Sequence, residues 1–483
     1  MICRTANFGN VSPYFIGNAQ PQRVYLTAEE AILAVPPAER IVDPVGILEI
    51  FNFHHMCGMR TLVPSVKKMP WRAELMEDGT IARLPPIPHG LAHMDPAEAA
   101  RELCRLLEAE LLEAIGSRKK VYLLLTGGYD SRMVAGVLHR ARQQIRAEIV
   151  VVSWGFEKSR DVQYARRLAE GFGWDFVHVP YGADWTWKNV ECMATWGGAE
   201  IAGTHLHAMN WFEHAAKDDL VIAASYGDSI GRAEFSGVHL LNLQGPRLQN
   251  NAQLIHPFLE EECFRQARED IASSWALVAD GPDCIKWEHH QQENYMRRWI
   301  GHAMDRIRVF TGFHQAFTSD PVVGFMWGLC PFMRDGAIYA QAFKQLDARL
   351  YSLPWARTGV APDGTTKETD PELLTDYHDY ERWCRNELAE RLEAHAFNGE
   401  LYKLGFLFAP AWNRLYRHWK SYRGAKATGA IRNVVVLAQF DLARQRFGLL
   451  PCRPGHYWRD RVRSLAWPVI HGIRSGFGGS RRT

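Results

Sequence analysis

The chain has 483 residues, of which 47% are hydrophobic and 23% are charged, proportions typical of a soluble globular protein with a sizeable core. Its formal net charge is only +2, so charge gives no reason to expect nucleic acid as a partner. The 9 cysteines never form a CxxC pair, which argues against a disulfide framework or a structural zinc site. No signal peptide and no membrane-spanning apolar run are recognised, so a reduced cytoplasmic protein is expected.

Residues 1–90 are predicted to form a small strand-rich or mixed unit. The segment MEDGT indicates a hairpin turn between two short strands. PPIPHG at residues 85–90 is the predicted linker, because prolines and a glycine interrupt regular structure there. A helix should follow, with Asp95 as its N-cap, Pro96 in its first turn and Gly116 at its end.

From about residue 120 onward, apolar strands alternate with helices. Strands are predicted at 121–126, 147–156 and 175–181, and a further one at 219–229. Strands that are apolar on both faces and separated by helices are typical of a doubly wound parallel sheet. The predicted fold class is therefore α/β, and the chain beyond about residue 252 is expected to be mostly helical.

The segment TGGYDSR follows the first of these strands, where parallel sheets bind their ligands. Gly127 and Gly128 let backbone N–H groups converge on an anion, and the hydroxyls of Thr126 and Ser131 can donate to the same oxygens. Asp130 would repel a phosphate unless a divalent metal lay between them, and Mg²⁺ prefers one or two carboxylates plus phosphates. The pattern is neither Walker A nor the Rossmann fingerprint. The alternative is a glycine-rich turn in which Asp130 caps the helix.

The run LLLTGGYDSRMVAGVL closely resembles the SGGxDS pyrophosphate loop of the N-type ATP pyrophosphatases, with Thr126 in place of the usual serine. Over about residues 95–360 the chain is most similar to the synthetase domain of the asparagine synthetase family, whose relatives include β-lactam synthetases and lasso-peptide cyclases. The resemblance implies an adenine nucleotide alpha hydrolase-like fold with ATP and Mg²⁺ as cofactors. It also implies an enzyme that activates a carboxylate as its acyl-adenylate, releases pyrophosphate and lets ammonia or an amine attack.

The resemblance also implies site residues. In SYGDSIGRAEFSG, Asp228 aligns with the family's metal-binding acid, so Asp130 and Asp228 are the predicted metal ligands. Ser225 stands where asparagine synthetases have a glutamate near the acceptor, and Ser229 replaces a second acid. The family's pyrophosphate-contacting lysine has no clear equivalent, and Arg334 or Arg357 could supply its charge. The predicted catalytic residues are Asp130, Asp228 and Arg334, and the predicted nucleotide-binding residues are Thr126, Gly127, Gly128, Asp130, Ser131, Ser153, Gly155 and Gly227.

Residues 44–84 resemble the last part of the glutaminase domain that many asparagine synthetases carry. Such a domain needs an N-terminal cysteine, whereas here Ile2 precedes Cys3, so the thiol would lack the neighbouring base that the catalysis requires. Cys57, in the segment MCGM, is interpreted as a packed cysteine. Three regions are predicted: 1–90 as a shortened non-catalytic glutaminase-like region, 91–395 as the asparagine synthetase-like ATP-binding domain, and 396–483 as a helical extension with a basic tail.

Other candidates are weaker. His205 and His207 could bind a metal, but no third ligand is near in sequence, so a substrate-facing or core position is favoured. The histidine pairs at 54–55 and 289–290 are interpreted as solvated or packed. The aromatic and basic segment 402–423 is expected to pack on the domain rather than bind nucleic acid or a membrane.

The predicted function is an ATP-dependent amide-forming ligase with aspartate as the default carboxylate. The nitrogen would come from ammonia, with or without a partner chain that supplies it, or from the amine of a larger substrate. Ser225 and the short N-terminal region favour a tailoring ligase or cyclase that acts on a peptide or sugar intermediate. A catalytically silent ATP-binding protein is the remaining alternative, and a homodimer is compatible with the sequence.

Overall fold

The computed structural model describes residues 1–5, 8–9, 11–234, 248–250, 252–421 and 428–452. The described part of the first ninety residues forms two small antiparallel sheets and two α-helices, as the strand-rich or mixed prediction expects. Their order is β1 (Cys3–Thr5), β2 (Tyr14–Ile16), β3 (Val24–Tyr25), α1 (Ala28–Ala34), α2 (Pro44–Phe53), β4 (Val66–Lys68), β5 (Ala73–Leu75) and β6 (Ile81–Arg83). The sheets have the orders β1-β5-β6 and β3-β2-β4, and the predicted hairpin joins β5 to β6.

The central element is a five-stranded sheet in which every neighbouring pair is parallel. Its strand order is β11-β10-β7-β8-β9, which confirms the predicted α/β class. The strands and the helices between them are α3 (Pro96–Ile115), β7 (Lys120–Leu124), α4 (Tyr129–Arg140), β8 (Glu148–Gly155), α5 (Arg160–Phe172), β9 (Asp175–Pro180), α6 (Ala183–Ala194), β10 (Leu220–Ala223), α7 (Pro257–Ser273), α8 (Asp283–His290), α9 (His302–Arg308) and β11 (Gly312–Gln315).

Local signals set most of these boundaries. Asp95 caps α3 by accepting from two backbone N–H groups, and Gly116 ends it at φ +50, as predicted. The predicted strand at 219–229 was too long, because the chain turns after Ala223 and residues 227–231 form a π-helical turn. β11 was not predicted, since its sequence GFHQ lacks an apolar run and it pairs only as an edge strand with β10.

The remaining chain is mostly helical, as expected. It contains α10 (Asp320–Gly328), α11 (Gly336–Leu346), α12 (Ala348–Ser352), α13 (Tyr380–Arg385), α14 (Ala389–Ala396), α15 (Gly399–Tyr402), α16 (Ala409–Ser421) and α17 (Thr428–Phe447). Within the described residues, no helix combines the length and apolar character that crossing a lipid bilayer requires. The predicted basic tail lies outside the described residues.

The first and last regions of the chain share one hydrophobic core. Ile47 and Leu48 of α2 belong to the same buried cluster as Val434 and Leu437 of α17. Trp419 of the aromatic segment is also buried in this cluster, in agreement with the expected packing of that segment. Cys57 is fully buried, and burial raises the pKa of its thiol, so it is a packed cysteine.

Candidate nucleotide-binding site

The loop between β7 and α4 is held by the hydroxyls at its two ends. Thr126 Oγ1 accepts from the backbone N–H of Gly128 at 3.1 Å and lies 3.1 Å from Ser131 Oγ. Ser131 Oγ in turn accepts from the backbone N–H of Thr126 at 3.2 Å. The N–H of Gly127 donates to the carboxylate of Asp161 at 2.9 Å. The predicted loop residues therefore converge at the carboxyl end of the central strand.

The two glycines of this loop have different structural reasons. A Cβ on Gly127 would lie 2.6 Å from the Cβ of Ala356 and 2.8 Å from the ring of Tyr164, so no larger residue fits there. A Cβ on Gly128 would meet only the Thr126 hydroxyl, at 3.1 Å. Gly127 is therefore required by the packing around it, whereas Gly128 leaves the space beside the Thr126 hydroxyl unfilled.

The buried residue Arg132 hydrogen-bonds the β7–α4 loop to the segment at residues 353–354. Arg132 donates to the carbonyls of Leu353 and Pro354, each at 2.7 Å, and to that of Gly127 at 3.1 Å. Burial lowers its pKa to about 10. Ala356 then donates its N–H to the Gly127 carbonyl at 3.2 Å. Arg132 was missed in the sequence, where it looks like an ordinary helix residue.

The predicted metal ligands lie together beside this loop. Asp130 is in the first turn of α4, and Asp228 is in the π-helical turn after β10. A Cβ on the neighbouring Gly227 would come within 2.6 Å of the Asp130 side chain, so this glycine is what allows the close approach. The Asp228 Oδ1 atom is buried with no hydrogen-bond partner in the described chain. Burial and the negative charge of Asp130 raise the pKa of Asp228 well above its usual range.

Among the described residues, Arg232 is the cation that pairs with Asp130. Its Nε donates to Asp130 Oδ1 at 3.2 Å and its Nη2 to Oδ2 at 3.1 Å, a two-pronged pairing that suits a guanidinium. The guanidinium also lies 5.7–6.0 Å from the ring centroids of Tyr129, Tyr339 and Trp355. The sequence analysis missed Arg232, although its position four residues after Asp228 was an available signal.

The two predicted arginines lie elsewhere. Arg334 is fully buried and donates to the carboxylate of Glu288, and also to the Ile230 carbonyl at 3.3 Å. The charge of Arg334 is therefore balanced by Glu288 in the protein interior, next to the turn that carries Asp228. The side chain of Arg357 is 72% exposed and lies 3.7 Å from Glu234, which is itself 3.3 Å from Arg232. Arg232, rather than Arg334, is the arginine that meets Asp130.

The carboxyl end of β8 carries two of the predicted nucleotide-binding residues, Ser153 and Gly155. Ser153 is buried, and its hydroxyl has no partner among the described residues. Gly155 has φ +123, and a Cβ there would lie 2.6 Å from the carbonyl oxygen of Tyr377. That carbonyl accepts from the N–H of Phe156 at 2.9 Å. The close approach of Tyr377 therefore explains why position 155 is a glycine. The Ser153 hydroxyl, in contrast, has no hydrogen-bond partner among the described residues.

The remaining candidate residues either form hydrogen bonds inside the protein or lie in a different part of the structure. Ser229 donates to the Tyr226 carbonyl at 3.2 Å and accepts from Gln292 at 3.1 Å. His205 and His207 lie in and just after a short 3₁₀ turn, with their rings nearly perpendicular. The described residues contain no group of three or more His, Cys, Asp or Glu side chains that could hold a metal. The pair at 289–290 is buried.

Comparisons with known proteins find a family model that is similar to part of this region. The family model described as asparagine synthase matches residues 102–220, which include the β7–α4 loop and end before Asp228, and this confirms the predicted resemblance. No curated protein matches the chain. Among 38 matching chains of known structure is the NMN synthetase from Francisella tularensis, at 15% identity and a TM-score of 0.22. That match covers 30% of this chain and 60% of the other.

Proposed function

We propose, from the asparagine synthase-type segment at residues 102–220, that this chain is an ATP-dependent ligase that activates a carboxylate as its adenylate and forms an amide. The observation that carries the proposal is the position of Asp130 and Asp228. Both acids stand at the strand ends beside a loop of hydroxyls and backbone N–H groups. Open parallel sheets bind their ligands at this edge.

The acids fit a magnesium nucleotide. Asp228 Oδ1 is a buried oxygen without a partner in the described chain, and the pair supplies the one or two carboxylates that Mg²⁺ combines with substrate phosphates. Asp130 and Asp228 would hold the ion, which would neutralise charge on the phosphates. Binding it would also relieve the repulsion between the two carboxylates.

The polar groups of the loop would hold the β- and γ-phosphates. The hydroxyls of Thr126 and Ser131 and the N–H of Gly128 now bond to one another, and phosphate oxygens can accept from the same donors. The N-terminus of α4 adds its partial positive charge. Arg232, turned from Asp130 towards the phosphates, would stabilise the pyrophosphate as it leaves. Arg132 would keep the covering segment in place and limit the access of water.

The proposed reaction has two steps. A substrate carboxylate oxygen bonds to the α-phosphorus while the bond from that phosphorus to the pyrophosphate oxygen breaks. The nitrogen of ammonia or an amine then bonds to the activated carbonyl carbon, AMP leaves with the electron pair of the broken C–O bond, and the nitrogen loses a proton. Aspartate is the default carboxylate.

A tailoring ligase that acts on a larger substrate is the second candidate. Ser225 stands where asparagine synthetases have a glutamate near the acceptor, and a cavity with aromatic walls lies beside β8. Both features favour a substrate larger than aspartate.

ATP–pyrophosphate exchange, measured across a panel of carboxylates that includes aspartate, tests the proposal. Exchange with aspartate supports asparagine formation, and exchange with another acid supports tailoring. Mg·ATP binding without any exchange would indicate a silent ATP-binding protein.

Asp130→Asn and Asp228→Asn should each lower exchange by at least about 100-fold, the typical cost of losing one electrostatic stabiliser. Asp95→Asn is the matched control, because asparagine caps a helix as well as aspartate does. Full exchange activity in Asp130→Asn would overturn the assignment of the metal ligands.

A further inference from the structure

A cavity of about 410 Å³ lies beside the carboxyl end of β8, within the range of small-molecule sites. It is bounded by segment 202–207, residues 295–304, segment 377–384 and α17. Two contacts join it to the candidate nucleotide site. The ring of His207 stacks 5.9 Å from that of Trp154 in β8, and Tyr377, which lines the cavity, covers Gly155.

The walls of the cavity are aromatic. Tyr295, Trp299, Tyr377 and Tyr380 line it, and they offer ring faces and edges on several sides. Tyr295 is also close enough to Asp228 for that carboxylate to help raise its pKa, which burial raises to about 12. One wall residue of the cavity, Tyr295, therefore lies on the side of Asp228, and the opposite wall is formed by α17.

Three imidazoles in the cavity wall carry no charge at neutral pH. Burial lowers the pKa of His207 to about 3, and it lowers the pKa values of His205 and His378 as well. The hydroxyl of Tyr380 donates to the Thr204 carbonyl at 2.8 Å and must accept from His207 Nδ1 at 3.1 Å. His207 Nε2 is therefore an acceptor. These rings add polar edges to the cavity without adding charge.

Arg432 is the only lysine or arginine among the described residues that line the cavity. Its Nη1 donates to His54 Nε2 at 2.6 Å, and no carboxylate of the described chain forms a salt bridge with it. Glu381 also lines the cavity, but it already takes part in another interaction. Burial lowers the pKa of His54 to about 4, so within the described chain the hydrogen-bond partner of this partly buried guanidinium is a neutral ring, an arrangement that favours an anionic ligand.

We propose that this cavity binds a carboxylic acid that carries an aromatic ring, with the ring between the aromatic walls and a carboxylate on Arg432. The assignment of this acid as a substrate rests on the proposed ligase function, whereas the assignment of the cavity as its binding site rests on the lining alone. A cationic ligand is disfavoured by Arg432.

Calorimetric titration without ATP tests the cavity with three probes. Phenylacetate supplies both ring and charge, cyclohexylacetate keeps the charge without the π-system, and 2-phenylethylamine keeps the ring with the opposite charge. We expect phenylacetate to bind at least about 10-fold more tightly than either of the others. Equal or tighter binding of cyclohexylacetate or 2-phenylethylamine would overturn the inference.

Variants at two positions locate the binding. Arg432→Gln should weaken phenylacetate at least about 10-fold, as expected when a charged hydrogen bond is lost, and Arg432→Lys should retain part of the affinity. Ala303→Leu, which places bulk in the cavity, should also weaken binding. Arg446→Gln is the matched control, because this arginine of α17 pairs with Glu29 at the surface. Unchanged affinity in both Arg432→Gln and Ala303→Leu, with folding verified by circular dichroism, would place the probe elsewhere and refute the site.

The outcomes separate this inference from the proposed function. Exchange with some acid, together with unaltered probe binding in both Arg432→Gln and Ala303→Leu, removes the cavity assignment and leaves the ligase. The expected probe pattern without exchange for any acid removes the ligase and leaves the cavity assignment. Asp130→Asn should bind phenylacetate as the wild type does, since Asp130 does not line the cavity.

Discussion

Replacing Gly227 by alanine tests whether the two acids must approach as closely as they do. The added methyl group would lie 2.6 Å from both Cβ and Oδ1 of Asp130, whereas ordinary contact begins at 3.4 Å. Asp130 and the Gly227 backbone must therefore move apart by about 0.8 Å, the difference between these two distances. Its bonds to Arg232 are 3.1 and 3.2 Å long, so a shift of that size breaks them unless Arg232 follows.

We expect Gly227→Ala to keep the fold, because Gly227 does not have a positive φ and overpacking of this kind costs about 1–3 kcal/mol. Mg·ATP binding, measured by calorimetry, should weaken at least about 10-fold. Exchange should fall about 100-fold, the scale expected for a misplacement of about 1 Å near the reacting atoms.

Gly324→Ala in α10 is the control, because its added Cβ meets nothing within 4 Å. It should leave Mg·ATP binding unchanged and raise helix stability slightly. A folded Gly227→Ala protein with wild-type affinity for Mg·ATP would refute the reasoning, since it would show that Asp130 need not be where the structure places it.

Three further predictions concern the loop, the strand end and the core. Thr126→Val removes the loop hydroxyl and should weaken ATP binding about 10-fold in calorimetry, whereas Thr126→Ser should not; equal losses would contradict the role of the hydroxyl. Gly155→Ala should lower the free energy of unfolding in urea by more than Gly364→Ala, because both have positive φ but only the first meets a carbonyl, at 2.6 Å; similar losses would exclude crowding as the cause. Burial lowers the pKa of His302 to about 3. Below about pH 6.5 this histidine therefore binds a proton in the unfolded chain but not in the folded protein, so the free energy of unfolding falls as the pH drops towards 3. His302→Gln should reduce this slope by up to about 1.4 kcal/mol per pH unit, and an unaltered slope between pH 4.5 and 6.5 would show that His302 is not neutral in the fold.

The order of residues along short segments was sufficient to predict most of the strands of the parallel sheet, the helices between them and the ends of α3. Apolar strands separated by amphipathic helices predicted the parallel sheet, and Asp95 and Gly116 predicted the ends of α3. The edge strand β11 was missed because GFHQ carries no such pattern, and its pairing with β10 joins residues about ninety positions apart.

Charge pairing over long sequence distances could not be predicted in the same way. Arg232 meets Asp130 across 102 residues, and Arg334 was chosen for the site although it pairs with Glu288. An arginine looks the same in the sequence whether its guanidinium enters the site or the interior. Only the path of the backbone decides which carboxylate it reaches.

The sequence by itself determined the sheet and the glycine loop after its first strand, because each depends on residues that are neighbours in the chain, and the family resemblance supplied the acids expected beside a nucleotide. The tertiary structure alone decided that Gly227 lets Asp130 and Asp228 converge, that Arg232 is their cation, and that distant aromatic residues enclose a cavity with Arg432. These contacts arise where separate segments pack together, and the stabilisation that packing provides is not written in any one segment.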